Sequence, residues 1–311
     1  MENRKIKYTF LLPAYKPNFL EEALLSIKNQ TYIDFKVIVS DDCSPYDLKS
    51  IFDIVCSDDA RFTYCRNDVN MGGKSLVSHW NLLVEMCDTE FFVMASDDDV
   101  YEPLFLEQIN FLVGLYPDVN LFRGKVREID ETGVEKQEEI SIPEYFDSLH
   151  FILRMYQPGF IPCEANYVYR TDIVRKNKGY VDFPKAWFSD DATHILMSKK
   201  GCCTTSEVVF NFRSSNVSIS GNRRDVNECV CKVKASYGFY AWMKQFLAQF
   251  DEKDELVGQI KELYKEKVIR NVKDYIFGCP FKTFLKLLCM CPRSLDLYRC
   301  RMFVHWFRWR M

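Results

Sequence analysis

The sequence predicts an α/β protein: a mostly parallel sheet with helices on both faces, followed by a C-terminal helical extension. Three observations predict it. Apolar runs of strand length alternate with runs of helical period through the first 100 residues, a pattern that calls for parallel strands joined by crossover helices. The apolar runs end in polar residues, on the strand edge where open α/β sheets bind ligands. From about Val226 the pattern turns helical and stays so.

In chain order, Tyr8 to Pro13 reads as a buried strand, stopped by Pro13 and the Ala14-Tyr15-Lys16-Pro17 turn. Phe19 to Gln30 places Leu20, Ala23, Leu24 and Ile27 at helical spacing. Phe35 to Ser40 is a second strand, ending in Asp41-Asp42-Cys43-Ser44-Pro45. A helix over about Tyr46–Cys56, a short strand at Phe62–Tyr64, a turn at Asn70-Met71-Gly72-Gly73 and a helix over Lys74–Cys87 follow. Phe91–Ala95 is a third long strand, ending in Ser96-Asp97-Asp98-Asp99. Residues 104–117 read as a helix, Asn120–Ile129 as a strand, Asp130–Glu144 as a surface loop or hairpin, and 145–225 as irregular. Helices are expected over Val226–Phe250 and Glu255–Ile276. The expected division is a sheet-bearing domain over 1–225 and an extension over 226–311 with a basic, aromatic tail at 279–311.

Composition bounds the class. Hydrophobic residues are 48% and charged residues 27% of 311, a globular balance rather than a disordered one. The net charge of −3 conceals an imbalance: 25 basic and 35 acidic residues over 1–225, 16 and 9 over 226–311. An acidic first part argues against nucleic acid as a partner. Met1 to Lys5 leads straight into a strand, so no signal peptide is expected, and no run is long and apolar enough to span a membrane. The thirteen cysteines lack a C-x-x-C pair, and buried free thiols in a reducing cytosol are expected.

The first 100 residues therefore nominate one cleft, lined by Asp41, Asp42, Asp97, Asp98 and Asp99. Adjacent carboxylates raise each other's pKa, so three in a row favour a cation. A hard divalent ion, Mg²⁺ or Mn²⁺, suits oxygen ligands and brings Lewis acidity to a phosphate. The plain alternative is a strand-end loop using aspartate for caps and turns.

Six segments spanning residues 8–220 then carry a resemblance. They are Phe10-Leu11-Leu12-Pro13-Ala14-Tyr15, Val37 to Ser44, Asn70 to Gly73 with His79-Trp80-Asn81, Ser96 to Asp99 with Glu102-Pro103, Trp187 to Asp191, and Phe212-Arg213 through Ser220. Their order resembles the inverting family 2 glycosyltransferases of GT-A fold, with Ser96–Asp99 similar to the DxD motif. The resemblance implies that Pro13, Ala14 and Tyr15 shape a nucleotide pocket and that Asp42, with Asp41, meets the base. It implies Asn70 and Gly72 beside the nucleotide, Asp97 near the ribose and donor sugar, Asp98 as metal ligand and Asp99 as the second. Asp191 would be the general base, with Asp190 beside it orienting the acceptor. Without the resemblance, Asp190-Asp191 reads as an ordinary helix N-terminus. His79 reads as structural, and His194 as helix surface or core. Cys43 stands where relatives carry glycine, and Ser215 or Asn216 where many carry a histidine near the metal.

The implied activity is transfer of a sugar from a nucleotide sugar, a UDP-sugar foremost, to a glycan or lipid-linked acceptor. A non-catalytic nucleotide-sugar-binding protein on the same fold is the alternative. In the tail, seven Lys and Arg interleave with Trp and Phe against the single Asp296, which suits peripheral binding at the cytoplasmic membrane face. Docking of a C-terminal helix on the acidic domain is the alternative there.

Overall fold

A computed structural model describes residues 6–140, 142–215, 225–277, 279–295 and 298. The chain divides into two compact units, Met1–Tyr180 with Thr193–Ser215, and Val181–Ala192 with Asn216–Met311.

The first unit opens with β1 (Tyr8–Ala14), α1 (Leu20–Lys28), β2 (Phe35–Asp41), α2 (Leu48–Cys56), β3 (Phe62–Arg66), α3 (Gly72–Met86) and β4 (Phe91–Met94). It continues through β5 (Val100–Tyr101), α4 (Phe105–Leu115), β6 (Leu121–Ile129), β7 (Glu135–Glu138), β8 (Tyr145–Phe146), α5 (Ser148–Met155), β9 (Tyr167–Arg170) and α6 (Thr171–Lys176). The unit boundary falls within α7 (Ser189–Met197), after Ala192, and β10 (Cys202–Arg213) completes the sheet.

The strand order is β3-β2-β1-β4-β9-β6-β10-β5, with β7 on β6 and β8 on β10. β3, β2, β1 and β4 are mutually parallel, as the alternation predicted. β9 is antiparallel to β4 and β6, and β10 runs parallel to β6. Tyr8 through Leu12 are all fully buried, which requires cover on both faces. Tyr8, Phe10 and Leu12 face a core with Leu20, Leu24 and Ile27 of α1, Phe52 of α2 and Phe105 and Ile109 of α4. Gly124 of β6 lets α4 approach, since a Cβ there would meet Phe105 Cε2 at 2.9 Å and Val209 Cγ2 at 2.8 Å.

The 145–225 section departs from the irregular course expected of it. It holds six of these elements, including the twelve-residue β10 inside the sheet. β10 hides from a period-two reading because its pairing with β6 shifts register between Thr204 and Val208 and again before Phe210. The chain turns back after β6 as a hairpin, β7 returning antiparallel on β6. Among the described residues every cysteine is free of disulfides.

In the second unit, α8 (Val226–Leu247) and α9 (Glu255–Ile276) are capped by Asp225 and Asp254. α10 (Phe281–Cys289) follows, with Phe284, Leu287 and Leu288 buried. The apolar side of that stretch of the tail is thus spent on packing within the protein. Residues 299–311 of the tail lie outside the described residues. No described helix is long and apolar enough to cross a membrane.

Candidate active site

The end of β4 sits beside the end of β1 because the two strands pair in parallel up to Leu11 and Met94. Asp97 closes the gap beyond them: its Oδ2 accepts from the backbone N–H of Tyr15 (2.9 Å) and of Lys16 (2.8 Å). Burial raises the Asp97 pKa against those two bonds and the nearby Lys16. The Asp98 carboxyl is also pushed upward, by burial first and by Asp97 second. Asp99 is buried, and its pKa rises through burial and then through Asp98. Its Oδ1 accepts from the Arg213 N–H (2.8 Å) and its Oδ2 from the Ser96 hydroxyl.

Arg213 holds this acidic turn from beneath. It is 2% exposed, donates Nε to the Asp98 carbonyl (2.9 Å), pairs with Glu22 (2.6 Å) and stacks over Phe19 at 4.5 Å. Composition and spacing assigned Arg213 no role. Its motif was visible, but its function as a clamp depends on the end of β10 meeting Glu22 of α1 and the turn after β4.

The end of β2 is a second fixed acidic point. Asp41 is fully buried and accepts from the Tyr64 hydroxyl (2.6 Å) and the Ser44 N–H (2.7 Å), and pairs with Arg66. Asp42 Oδ1 accepts from Met71 N–H (2.8 Å) and Asn67 Nδ2 (2.9 Å), and its Oδ2 from Gly72 N–H (2.7 Å). A Cβ on Gly72 would stand 2.9 Å from that oxygen, so the close approach needs glycine. Asn70 completes the turn by accepting from Gly73 N–H. Both aspartates therefore act first as organisers, of Arg66 and of the Asn70–Gly73 turn.

Cys43 adopts a left-handed conformation, φ 54°, so the turn forms without glycine and bears the strain. Pro13 is half-buried, Ala14 is buried, and Tyr15 is exposed with its carbonyl accepting from Ser44 Oγ (2.7 Å). His79 is buried, with Nε2 against Ser40 Oγ (2.9 Å) and Asn67 Nδ2 (3.2 Å). The amide donates to Nε2, which assigns the proton to Nδ1, 3.7 Å from Asp42. Burial lowers the His79 pKa, so it stands neutral behind Asp42 as a structural residue.

Glu164 went unnoticed in the sequence because nothing around it has a periodic or motif signal. It gathers the hydroxyls of Tyr169 (2.7 Å) and Tyr180 (2.5 Å) and His194 Nε2 (2.9 Å). His194 is buried and stacked on Tyr167 at 3.7 Å, a core residue rather than a surface one. Asn81 anchors the same region by accepting from Tyr180 N–H (2.9 Å).

Asp190 and Asp191 belong to the second unit and lie in the first turn of α7, where acidic residues suit the helix dipole. Asp190 Oδ1 accepts from Asp191 N–H (2.9 Å). Ser189 Oγ accepts from Phe183 N–H (3.0 Å) and ties the preceding loop to the helix start.

Among the described residues no group of three or more His, Cys, Asp or Glu is arranged to hold a metal ion. Adjoining carboxylates, with Asp97 raising the pKa of Asp98 and Asp98 that of Asp99, still fit a hard cation whose remaining ligands are phosphate and water oxygens. The Ser215 hydroxyl, two residues beyond Arg213, is buried with no hydrogen-bond partner among the described residues, and Asn216 lies outside them.

Comparisons with known proteins agree on this architecture. The chain is 33% identical over 94 residues to the GalNAc(5)-diNAcBac-PP-undecaprenol beta-1,3-glucosyltransferase of Campylobacter jejuni subsp. jejuni serotype O:2, a stretch covering 30% of either chain. Staphylococcal (S. aureus) TarS 1-349 in complex with UDP-GlcNAc is similar at TM-score 0.66 and 14% identity, over 97% of this chain and 89% of that one. The mannosyltransferase PcManGT from Pyrobaculum calidifontis, in complex with GDP-Man and Mn²⁺, is similar at TM-score 0.56 and 15% identity, over 93% and 75%. These likenesses establish the GT-A fold. The model of Glycosyl transferase family 2 matches residues 9–177, more than half of the sequence, and the chain belongs to that family.

Proposed function

We propose that this protein is a metal-dependent, inverting glycosyltransferase that moves a sugar from a nucleotide-sugar donor to a hydroxyl of a glycan or lipid-linked acceptor, in surface polysaccharide biosynthesis. The observation that carries the reading is the acidic turn after β4, where Asp97 is bonded to the end of β1 and Asp98 is pushed toward protonation. The relatives' names support it: TarS is in complex with UDP-GlcNAc, PcManGT with GDP-Man and Mn²⁺, and the curated relative's name carries a PP-undecaprenol glycan. A UDP-sugar is the donor we favour.

Pro13, Ala14 and Tyr15 would form the nucleotide pocket, with the Tyr15 backbone held by Asp97. Asp41 and Asp42 would support the donor through Arg66 and through the turn bearing Asn70 and Gly72. Asp98 would hold Mg²⁺ or Mn²⁺, with Asp99, bonded on both oxygens, as its support. When bound, such an ion stabilises the negative charge of a departing diphosphate.

Asp191 would take the proton of the acceptor hydroxyl as that oxygen bonds to the anomeric carbon. The carbon–oxygen bond to the diphosphate breaks on the opposite face, and the nucleoside diphosphate leaves with its electron pair, so the configuration inverts. A positioned base of this kind contributes about 10²–10⁴ in rate. Asp190 would orient the acceptor.

Asp98→Asn and Asp191→Asn should each abolish nucleotide release from a UDP-sugar in the presence of acceptor, with circular dichroism unchanged. Full turnover by both folded variants refutes the assignment. Donor binding by the parent without any turnover would favour a binding protein instead.

The same proposal places the protein at the cytoplasmic membrane face through the basic, aromatic tail. Because Phe284, Leu287 and Leu288 are buried, the deletion that tests this is 299–311 rather than the whole tail. Loss of sedimentation with anionic vesicles is expected, and equal binding by the truncated protein refutes it.

A further inference from the structure

The loop before Asp190 in the second unit has a strained backbone. Lys185, Ala186 and Phe188 take φ of 61°, 55° and 69°, three left-handed residues among four, and none is glycine. Each such residue is sterically costly with a Cβ and persists only where its surroundings over-determine it.

Helices α8 and α9 supply those surroundings. Phe188 lies flat on Phe239, with centroids 4.5 Å apart and planes 2° apart. Lys185 pairs with Glu228 at 2.8 Å. Trp187 donates Nε1–H to Asn271 Oδ1 (3.1 Å) and meets Tyr275 edge-on at 5.5 Å. The ammonium of Lys232, a residue only 1% exposed, stands 4.5 Å from the Trp187 ring centroid and 4.7 Å from that of Tyr275. Burying an ammonium is costly, and facing two aromatic rings offsets part of that cost in a geometry a neutral side chain does not reproduce.

We propose that Lys232 is a positioning residue: through its contact with the Trp187 indole it holds the strained 185–188 loop and thereby the aim of the Asp191 carboxylate. The two long helices of the extension are then part of the catalytic apparatus. This rests on the reading of Asp191 as general base.

The test compares Lys232→Met, which keeps the stem and removes the charge, with Lys232→Arg, which keeps a cation. Hydrogen exchange needs no substrate: Lys232→Met should speed amide exchange over 185–191 at least tenfold and leave β1 to β4 unchanged. With a UDP-sugar and Mn²⁺, kcat for nucleotide release should fall about 10–100-fold, as small misplacements of a reacting group do. UDP affinity by calorimetry should stay within twofold, and Lys232→Arg should recover most of the rate. Unchanged exchange over 185–191, a kcat within twofold of the parent, or a parallel fall of kcat and UDP affinity overturns the proposal.

If Lys232→Met fails to fold, Trp187→Phe removes the Asn271 bond and should give the same split between kcat and UDP affinity. If both parameters stay at parent values, the proposal falls. Asp191→Asn separates the two ideas. An active Asp191→Asn sinks the base reading itself, whereas an inactive one beside a fully active Lys232→Met sinks only the positioning role.

Discussion

Replacing Arg213 with methionine should destabilise the first unit far more than a surface charge would. The guanidinium is buried; beyond its long Nη1 bonds to the Asp130 and Glu131 carbonyls (3.3 and 3.4 Å), three contacts dominate. Its Nε bond to the Asp98 carbonyl is charge-assisted, and leaving that carbonyl unpaired costs about 1.5–3 kcal/mol. The pair with Glu22 adds only about 0.5–1 kcal/mol, because the Glu22 side chain is 53% exposed and solvent-screened. Stacking over Phe19 adds about 0.5–1 kcal/mol. The expected loss is about 3–4 kcal/mol, which for a unit near 200 residues corresponds to a fall in Tm of about 8–12 °C. Urea unfolding and thermal melts followed by circular dichroism measure it. Arg213→Lys should lie between, since a lysine keeps the charge for Glu22 and loses the fork that reaches Asp98. A loss below about 1 kcal/mol in the methionine variant, or a lysine variant equal to the parent, would refute the view that this fork holds the acidic turn.

Gly72→Ala places a Cβ 2.9 Å from Asp42 Oδ2, and the carboxylate must withdraw from Gly72 N–H. A stability loss of about 2 kcal/mol and weaker UDP binding by calorimetry are expected; parent-like values for both would contradict the organising role of Asp42. Asp97, Asp98 and Asp99 all have folded pKa values above the ordinary carboxylate value, so between those values the folded chain binds more protons than the unfolded one. Stability without divalent metal should therefore fall as pH rises through their folded pKa values, a slope that Asp98→Asn or added Mn²⁺ reduces in plots of Tm against pH. His79 acts oppositely. Burial lowers its pKa, so its contribution is present above the ordinary value of 6.5 and is lost as pH falls through its folded value, and His79→Gln should lessen the loss of Tm on acidification.

The parallel half of the sheet was legible because β1, β2 and β4 are largely apolar and buried and the connections have a clear helical period, so local pattern and burial agree. Asp97, Asp98, Asp41 and Asp42 were legible as a cluster because strand ends of one parallel sheet share an edge. Their individual roles were not. Asp42 reads as a ligand-facing residue until Met71, Gly72 and Asn67 are seen on its oxygens. Asp99 reads like Asp98 until Arg213 N–H and Ser96 are seen to bind it.

By itself the sequence determined the crossover architecture, the acidic sheet edge, the two long helices after Asp225 and the family pattern, all set by order and spacing along the chain. Only the tertiary structure decided β10, Glu164, the Arg213 clamp and the Lys232 cage. Each of these depends on residues far apart in sequence, such as Arg213 on Asp98 and Glu22, or Lys232 on Trp187 and Tyr275. A carboxylate or guanidinium carries the same letter whether it faces solvent, a ligand or a buried donor, and the partner that decides among them arrives only when the chain folds.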